Sequence, residues 1–242
     1  MTRLTPVCLA VLALLLVGGC AALPPRGEVA TIDLPAGIEG TTPMAVDVET
    51  SRGDVLVDVD PRAKTPRVVA MTTNARGERV RAAWAAAVVE QAEPYPILRV
   101  LAVADDPGAR ADLTVIVPAC VGLRVRNVAG DVTVRGVRGA VDVQSGSDVT
   151  PGGNVSVSLG EALDAPLMVR SSRGSVVVSL PKGSRGALHV TGGVGRGSIV
   201  APRAELRDLT GTGGTWRAVL NGGEHDCRVI ADQGSAEIRV AR

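Results

Sequence analysis

The chain of 242 residues is predicted to be all-β, a solenoid-like stack of short strands with one short helix; a β-sandwich is the alternative. Three observations predict it. Between Gly130 and Val143, Val132 and Val134 take one face of an extended segment while Asp131, Thr133 and Arg135 take the other, because strand side chains alternate. Gly136 and Gly139 break the alternation just before it restarts at Val141 and Val143. The same phrase then recurs, a glycine followed by a small polar residue and an alternating apolar run, at Gly53-Asp, Gly153-Asn, Gly174-Ser, Gly197-Ser and Gly234-Ser. Finally, aromatic residues make up 1% of the chain and phenylalanine is absent, so the core is built from Val, Leu, Ile and Ala, which suits thin stacked layers.

The chain opens on an export signal. Arg3 precedes an apolar run from Val7 to Val17 that ends in Gly18-Gly19-Cys20, shorter than the ~20 residues of a spanning helix. Leu16-Val-Gly-Gly-Cys20 resembles the lipobox of bacterial lipoproteins, which implies cleavage before Cys20 and acylation of its sulfur. Each buried methylene contributes about 0.8 kcal/mol, so several chains on one residue anchor a protein without a spanning segment. By resemblance to lipoprotein sorting, Ala21 directs the product to an outer membrane where the cell has one. Residues 1–20 are thus read as signal, 21–42 as a tether rich in Pro and Gly, and 43–242 as the folded β-repeat domain.

Within that domain Met44–Thr50 and Val55–Val59 alternate as strands around the Ser51-Arg-Gly-Asp54 turn, and Val68–Met71 is a further short apolar run. Between Glu78 and Glu90 the alanine-rich composition, with Val80 and Trp84 four residues apart, predicts the one helix. Ile97–Val103 and Ala111–Val117 are strands joined by a turn at Asp105–Gly108, and short strands with glycine corners run on to Val240.

Leu113-Thr-Val-Ile-Val-Pro118, Gly130-Asp-Val-Thr-Val-Arg-Gly136, Gly139-Ala-Val-Asp-Val143, Ser171–Pro181 and Gly234-Ser-Ala-Glu-Ile238 together resemble the bacterial putative-adhesin family of β-strand-repeat domains of unknown function, over roughly Met44 to Val240. The resemblance implies a right-handed β-helix-like fold, an envelope location and no established chemistry. His225-Asp-Cys227 has no counterpart in the family's motifs.

Candidate chemistry is sparse. His189 and His225 are the sole histidines, and alternation in Ala187–Thr191 puts His189 on the face opposite Leu188 and Val190, an exposed strand position. His225 and Cys227 are two ligands where a structural metal site needs four, so no metal or other cofactor is expected. Asp131 and Asp142, expected to face outward on neighbouring strands near Arg135 and Arg138, would be the carboxylate pair of a glycan-active β-helix enzyme; a solvated charged face is the preferred reading, and no catalytic residue is assigned. Once Cys8 leaves with the signal and Cys20 is acylated, Cys120 and Cys227 remain, either bridged or separately buried. Arg52-Gly53-Asp54 and Gly193–Gly197 read as corners rather than as recognition or nucleotide motifs.

With 26 basic residues against 25 acidic and almost no flat π-surface, the chain is not read as a nucleic-acid binder. The reading is an exported, lipid-anchored envelope protein, on an outer membrane and facing periplasm or surface. Its partners are the membrane through the lipid, and envelope proteins or polysaccharide. The domain is expected to be non-catalytic, serving adhesion, structure or interaction. The alternatives are an envelope-stress signalling module and a carbohydrate-active β-helix enzyme.

Overall fold

A computed structural model of the protein describes residues 21–22, 29–31, 34–74, 76, 78, 83–104, 108–193 and 196–241. Residues 1–20, with the expected signal and Cys20, lie outside them, as does most of the Asp105–Gly108 turn. The chain is all-β, with two large and mostly parallel sheets and almost no helix. In chain order the strands are β1 (Ala21–Ala22), β2 (Val29–Thr31), β3 (Met44–Thr50), β4 (Val55–Val59) and β5 (Arg67–Thr73). There follow β6 (Ala83–Glu90), β7 (Ile97–Ala104), β8 (Arg110–Val117), β9 (Cys120–Asn127) and β10 (Val132–Val137). Next come β11 (Ala140–Ser145), β12 (Val155–Leu159), β13 (Leu167–Ser171), β14 (Val176–Leu180) and β15 (Gly186–Gly192). The last are β16 (Gly197–Val200), β17 (Leu206–Thr212), β18 (Thr215–Leu220), β19 (Asp226–Ala231) and β20 (Ala236–Val240), with a 3-10 turn at Arg203–Glu205.

The alternation read from the sequence sets the layers. An eleven-stranded sheet runs β1-β6-β7-β3-β9-β11-β13-β19-β15-β18-β17, and a nine-stranded sheet runs β16-β20-β14-β12-β10-β4-β8-β5-β2. Consecutive strands form pairs with one strand in each sheet: β3 with β4, β7 with β8, β9 with β10, β11 with β12, β13 with β14, β15 with β16 and β19 with β20. Neighbouring pairs are parallel in both sheets. Val46, Val48, Val55, Val57, Val132, Val134, Val141 and Val143 all lie at 2% exposure or less and belong to one core between the sheets. Valine side chains of both sheets therefore meet in one core, and no single pair could bury its inner face alone.

The corners are stacked too. A Cβ on Gly130 would run into the carbonyl oxygen of Gly53 in the neighbouring pair, and Gly130 holds φ +127°. The polar residue after each glycine ties one corner to the next. Asp54 Oδ1 accepts from the Asp131 amide at 2.9 Å, Asp131 Oδ1 from the Asn154 amide at 2.7 Å, and Asn154 Oδ1 from the Ser175 amide at 3.0 Å. On the inner side of the corner, Asn127 Nδ2, Ser145 Oγ and Ser171 Oγ, all buried, donate to the carbonyls of Gly53, Gly130 and Gly153 at 3.0, 2.9 and 2.7 Å. These bonds add to the backbone pairing of the corners, in which the Gly153 amide also donates to the Gly130 carbonyl at 3.1 Å.

One expectation needs correction. Over the described part of the predicted helix, Ala83–Glu90 is instead β6, paired antiparallel with β7 residue for residue from Ala83↔Ala104 to Glu90↔Ile97, while residues 79–82 lie outside the described residues. Ala85, Ala87 and Val89 are buried and Ala86, Val88 and Glu90 are not, a period of two that covers the otherwise open edge of β7. Helix propensity is a weak prior beside eight ladder pairings. Within the segment read as a tether, β1 pairs with β6 and β2 with β5, so part of that segment adds strands to the sheets.

Candidate functional site

The outer face of the eleven-stranded sheet brings together two of the residues singled out in the sequence, Asp142 and His189. Register aligns one row of outward side chains across eight strands: Arg99, Asp47, Arg124, Asp142, Met168, Arg228, His189 and Arg217. Charges in this row and the next pair with each other. Arg124 reaches Asp47 and Glu49 at 3.3 Å, Arg126 pairs with Asp142, Arg170 with Asp232 at 2.9 Å, and Arg228 with Asp226 at 2.6 Å. Such exposed pairs are worth about 0–1 kcal/mol each, so their effect is to neutralise the face rather than to hold it together.

One place on this face is concave. In the adjoining row Gly122 stands beside Ala140, and the absence of long side chains there leaves a recess of about 290 Å³. Ala140 and the sheet backbone at Leu123, Val141 and Leu167 form its floor, the side chains of those three pointing into the core. Pro166 and Met168 wall one side, and Asp142, Asp226 and Arg228 bring the charge. Asp226 bonds Arg228 through Oδ2, while its Oδ1 is buried with no hydrogen-bond partner and has His189 Nε2 3.9 Å away. The recess thus combines an apolar floor with a few convergent polar groups, the general makeup of a small-ligand site.

The remaining candidates separate. Asp131 and Asp142 do not form a pair: Asp142 lies on β11 of the larger sheet, whereas Asp131 sits in the corner before β10 of the other, its Oδ1 engaged by Asn154. The sequence pattern gives the face of each strand but not which sheet it joins. Arg138 pairs with Glu161 at 3.1 Å, and Arg135 points outward from the smaller sheet. His189 is half-exposed opposite the buried Leu188 and Val190, as read from the sequence. His225 is exposed at the entry to β19 while Cys227 points into the core, and no group of three or more metal-ligating residues occurs among the described residues. Arg52-Gly53-Asp54 is absorbed into the corner, where the Asp54 amide donates to Asp112 Oδ1 at 2.8 Å and Asp54 pairs with Arg110. Burial pulls the Arg110 pKa down, but hydrogen bonding and charge from Asp112, with Asp54 adding to both, hold it above its ordinary value.

Cys120 and Cys227 are both free and buried. They lie on β9 and β19 with β11 and β13 between, three strand spacings or about 14 Å, beyond the span of a disulfide. Burial pushes the Cys120 thiol up to about 11, against a smaller lowering by backbone hydrogen bonding at Gly122, and the Cys227 thiol up to about 12, with the Asp226 charge adding to the effect. The recess was missed in the sequence because it arises from Gly122 and Ala140 meeting side by side, and strand order alone brings them together.

The architecture has a solved counterpart. The chain aligns with a crystal structure described as a "putative cell adhesion protein" from Clostridium sporogenes, at TM-score 0.58 and 10% identity, covering 88% of this chain and 98% of that one. The fold is shared. A "putative adhesin" from Bacteroides fragilis aligns over 90% of this chain and 100% of that one at 14% identity, but its TM-score of 0.30 is no guide to the fold. No protein-family model and no curated protein matches the chain. Among the described residues, no helix is long and apolar enough to cross a membrane.

Proposed function

We propose that the protein is a lipid-anchored cell-envelope component whose β-domain is a non-catalytic surface for adhesion to other envelope or surface components. One observation carries the reading: the larger sheet turns outward a broad face of self-paired charges around a shallow apolar recess. Charges neutralised in pairs keep such a face soluble without a strong field, leaving it free to meet a large partner. The name of the Clostridium protein that shares the fold supports adhesion as the role and the cell surface as the place. The stack is a right-handed two-sided solenoid in this reading, since parallel returns through another layer take that hand almost without exception.

Cys20 is the attachment point, with the acyl chains rather than any spanning segment holding the protein at the membrane, on an outer membrane where one exists. Labelling with a fatty-acid analogue in cells tests the anchor: wild type takes up label and Cys20→Ser does not, whereas equal labelling would remove the lipid from the model. Retention of the purified domain on isolated envelopes tests adhesion. Binding that saturates and is blocked by excess unlabelled domain is expected; a domain that washes through has no such role.

A further inference from the structure

We infer that the recess on the outer face of the larger sheet binds a single hydroxyl-rich, uncharged ring, the chemistry of one neutral sugar residue; this rests on the adhesion reading and names what is adhered to. The recess measures about 290 Å³, at the lower end of the range of small-molecule sites, so it suits one ring rather than a long chain or a folded partner. Ala140, Pro166 and Met168 offer aliphatic contact to the C–H face of such a ring in a chain that has almost no aromatic platforms.

The polar groups at its mouth are half engaged. Asp142 is held by Arg126 through Oδ2, leaving Oδ1 to accept a bond. Arg228 is bound through Nε to Asp226, leaving its terminal nitrogens to donate. A site with open acceptors and open donors side by side matches hydroxyl groups, which do both, better than a carboxylate or an ammonium, which do one. Formal charge points the same way: Asp142 and Arg126 cancel, as do Asp226 and Arg228, so a charged ligand gains nothing from entering.

The test uses the whole domain, free hexoses and N-acetylhexosamines, and soluble neutral tetrasaccharides, read by saturation-transfer NMR and calorimetry. Ala140→Arg fills the recess from an exposed position and is expected to weaken binding by tenfold or more, with Asp142→Asn giving a smaller loss. Ser156→Arg, exposed on the other sheet, is expected to leave affinity unchanged. A matching circular dichroism spectrum and melting temperature for each variant excludes misfolding as the cause. Free monosaccharides binding as well as tetrasaccharides places recognition in one ring; tetrasaccharides alone binding overturns the one-ring assignment. No saccharide binding, or binding untouched by Ala140→Arg, overturns the site. If envelope retention persists in Ala140→Arg, adhesion stands and the recess is not its seat, whereas sugar binding without envelope retention leaves the recess standing and adhesion refuted.

Discussion

A single methyl group tests the corner at Gly130. The residue holds φ +127°, which L side chains rarely adopt, and an added Cβ would meet the Gly53 carbonyl of the neighbouring pair. Gly130→Ala is expected to destabilise the domain by about 3 kcal/mol, from backbone strain plus the displaced rung. Gly183 also has positive φ, +81°, but nothing lies within 4 Å of its would-be Cβ, so Gly183→Ala should cost only about 1 kcal/mol. Urea titration of the two variants measures the difference, and equal losses would mean that close stacking adds nothing to the conformational cost. The two thiols make a second test. With folded-state values near 11 and 12 against an ordinary value of 9.0, the unfolded chain loses these protons first as pH rises. Stability from this source is therefore intact below about pH 9 and falls towards pH 11–12. The fall should be shallower in Cys120→Ala/Cys227→Ala, and in the folded wild type at pH 8 neither thiol should alkylate until denaturant is added.

At the scale of elements, the buried hydroxyls that tie strand ends to corners are more informative than the salt bridges on the outer face. Ser145 Oγ donates to the Gly130 carbonyl and accepts from the Gly153 amide at 3.0 Å, and that amide also donates to that carbonyl at 3.1 Å, so Ser145→Ala removes two of the three bonds that tie the corners together. A loss of about 1–3 kcal/mol is expected. Arg124→Ala, which removes two exposed pairings at 3.3 Å, should change stability by less than about 1 kcal/mol. Thermal melts of the two variants compare them directly, and a larger loss in Arg124→Ala would invert this ranking. The glycine-plus-small-polar phrase made these corners legible from sequence, because each requires a residue without a Cβ followed by a side chain that reaches the next amide. The strands from Met44 to Val59 and from Val121 to Val240 were legible for the same reason. Strand β6 was not, since Ala85 and Ala87 suit a helix locally and become strand only through pairing with β7. Nor could spacing reveal that Asp131 and Asp142 belong to different sheets, or that Gly122 and Ala140 meet to open the recess.

Over the whole molecule, the order of the stacked pairs in space departs from their order in the chain, and this makes the domain interdependent. The C-terminal pair β19 and β20 is not at an end of the stack: β19 lies between β13 and β15, and β20 between β14 and β16. At the other end the first pair, β3 and β4, lies inside β7 and β8. Antiparallel strands β5 and β6 cover that end, and the hairpin of β17 and β18 covers β15 at its own. In a simple repeat array, trimming the last repeat shortens the stack and leaves the rest standing. Here, deleting residues 222–242 removes the neighbour of β16 in the smaller sheet, and in the larger sheet leaves β15 with the hairpin alone. The segment from β15 to β18 then loses its parallel neighbours in both sheets. Limited proteolysis of the truncated chain should therefore return a resistant fragment ending near Leu180, or no resistant fragment, while full-length protein resists cleavage across β15 to β18. A resistant fragment that reaches Asn221 would show that the β15–β18 segment stands without its inserted neighbour.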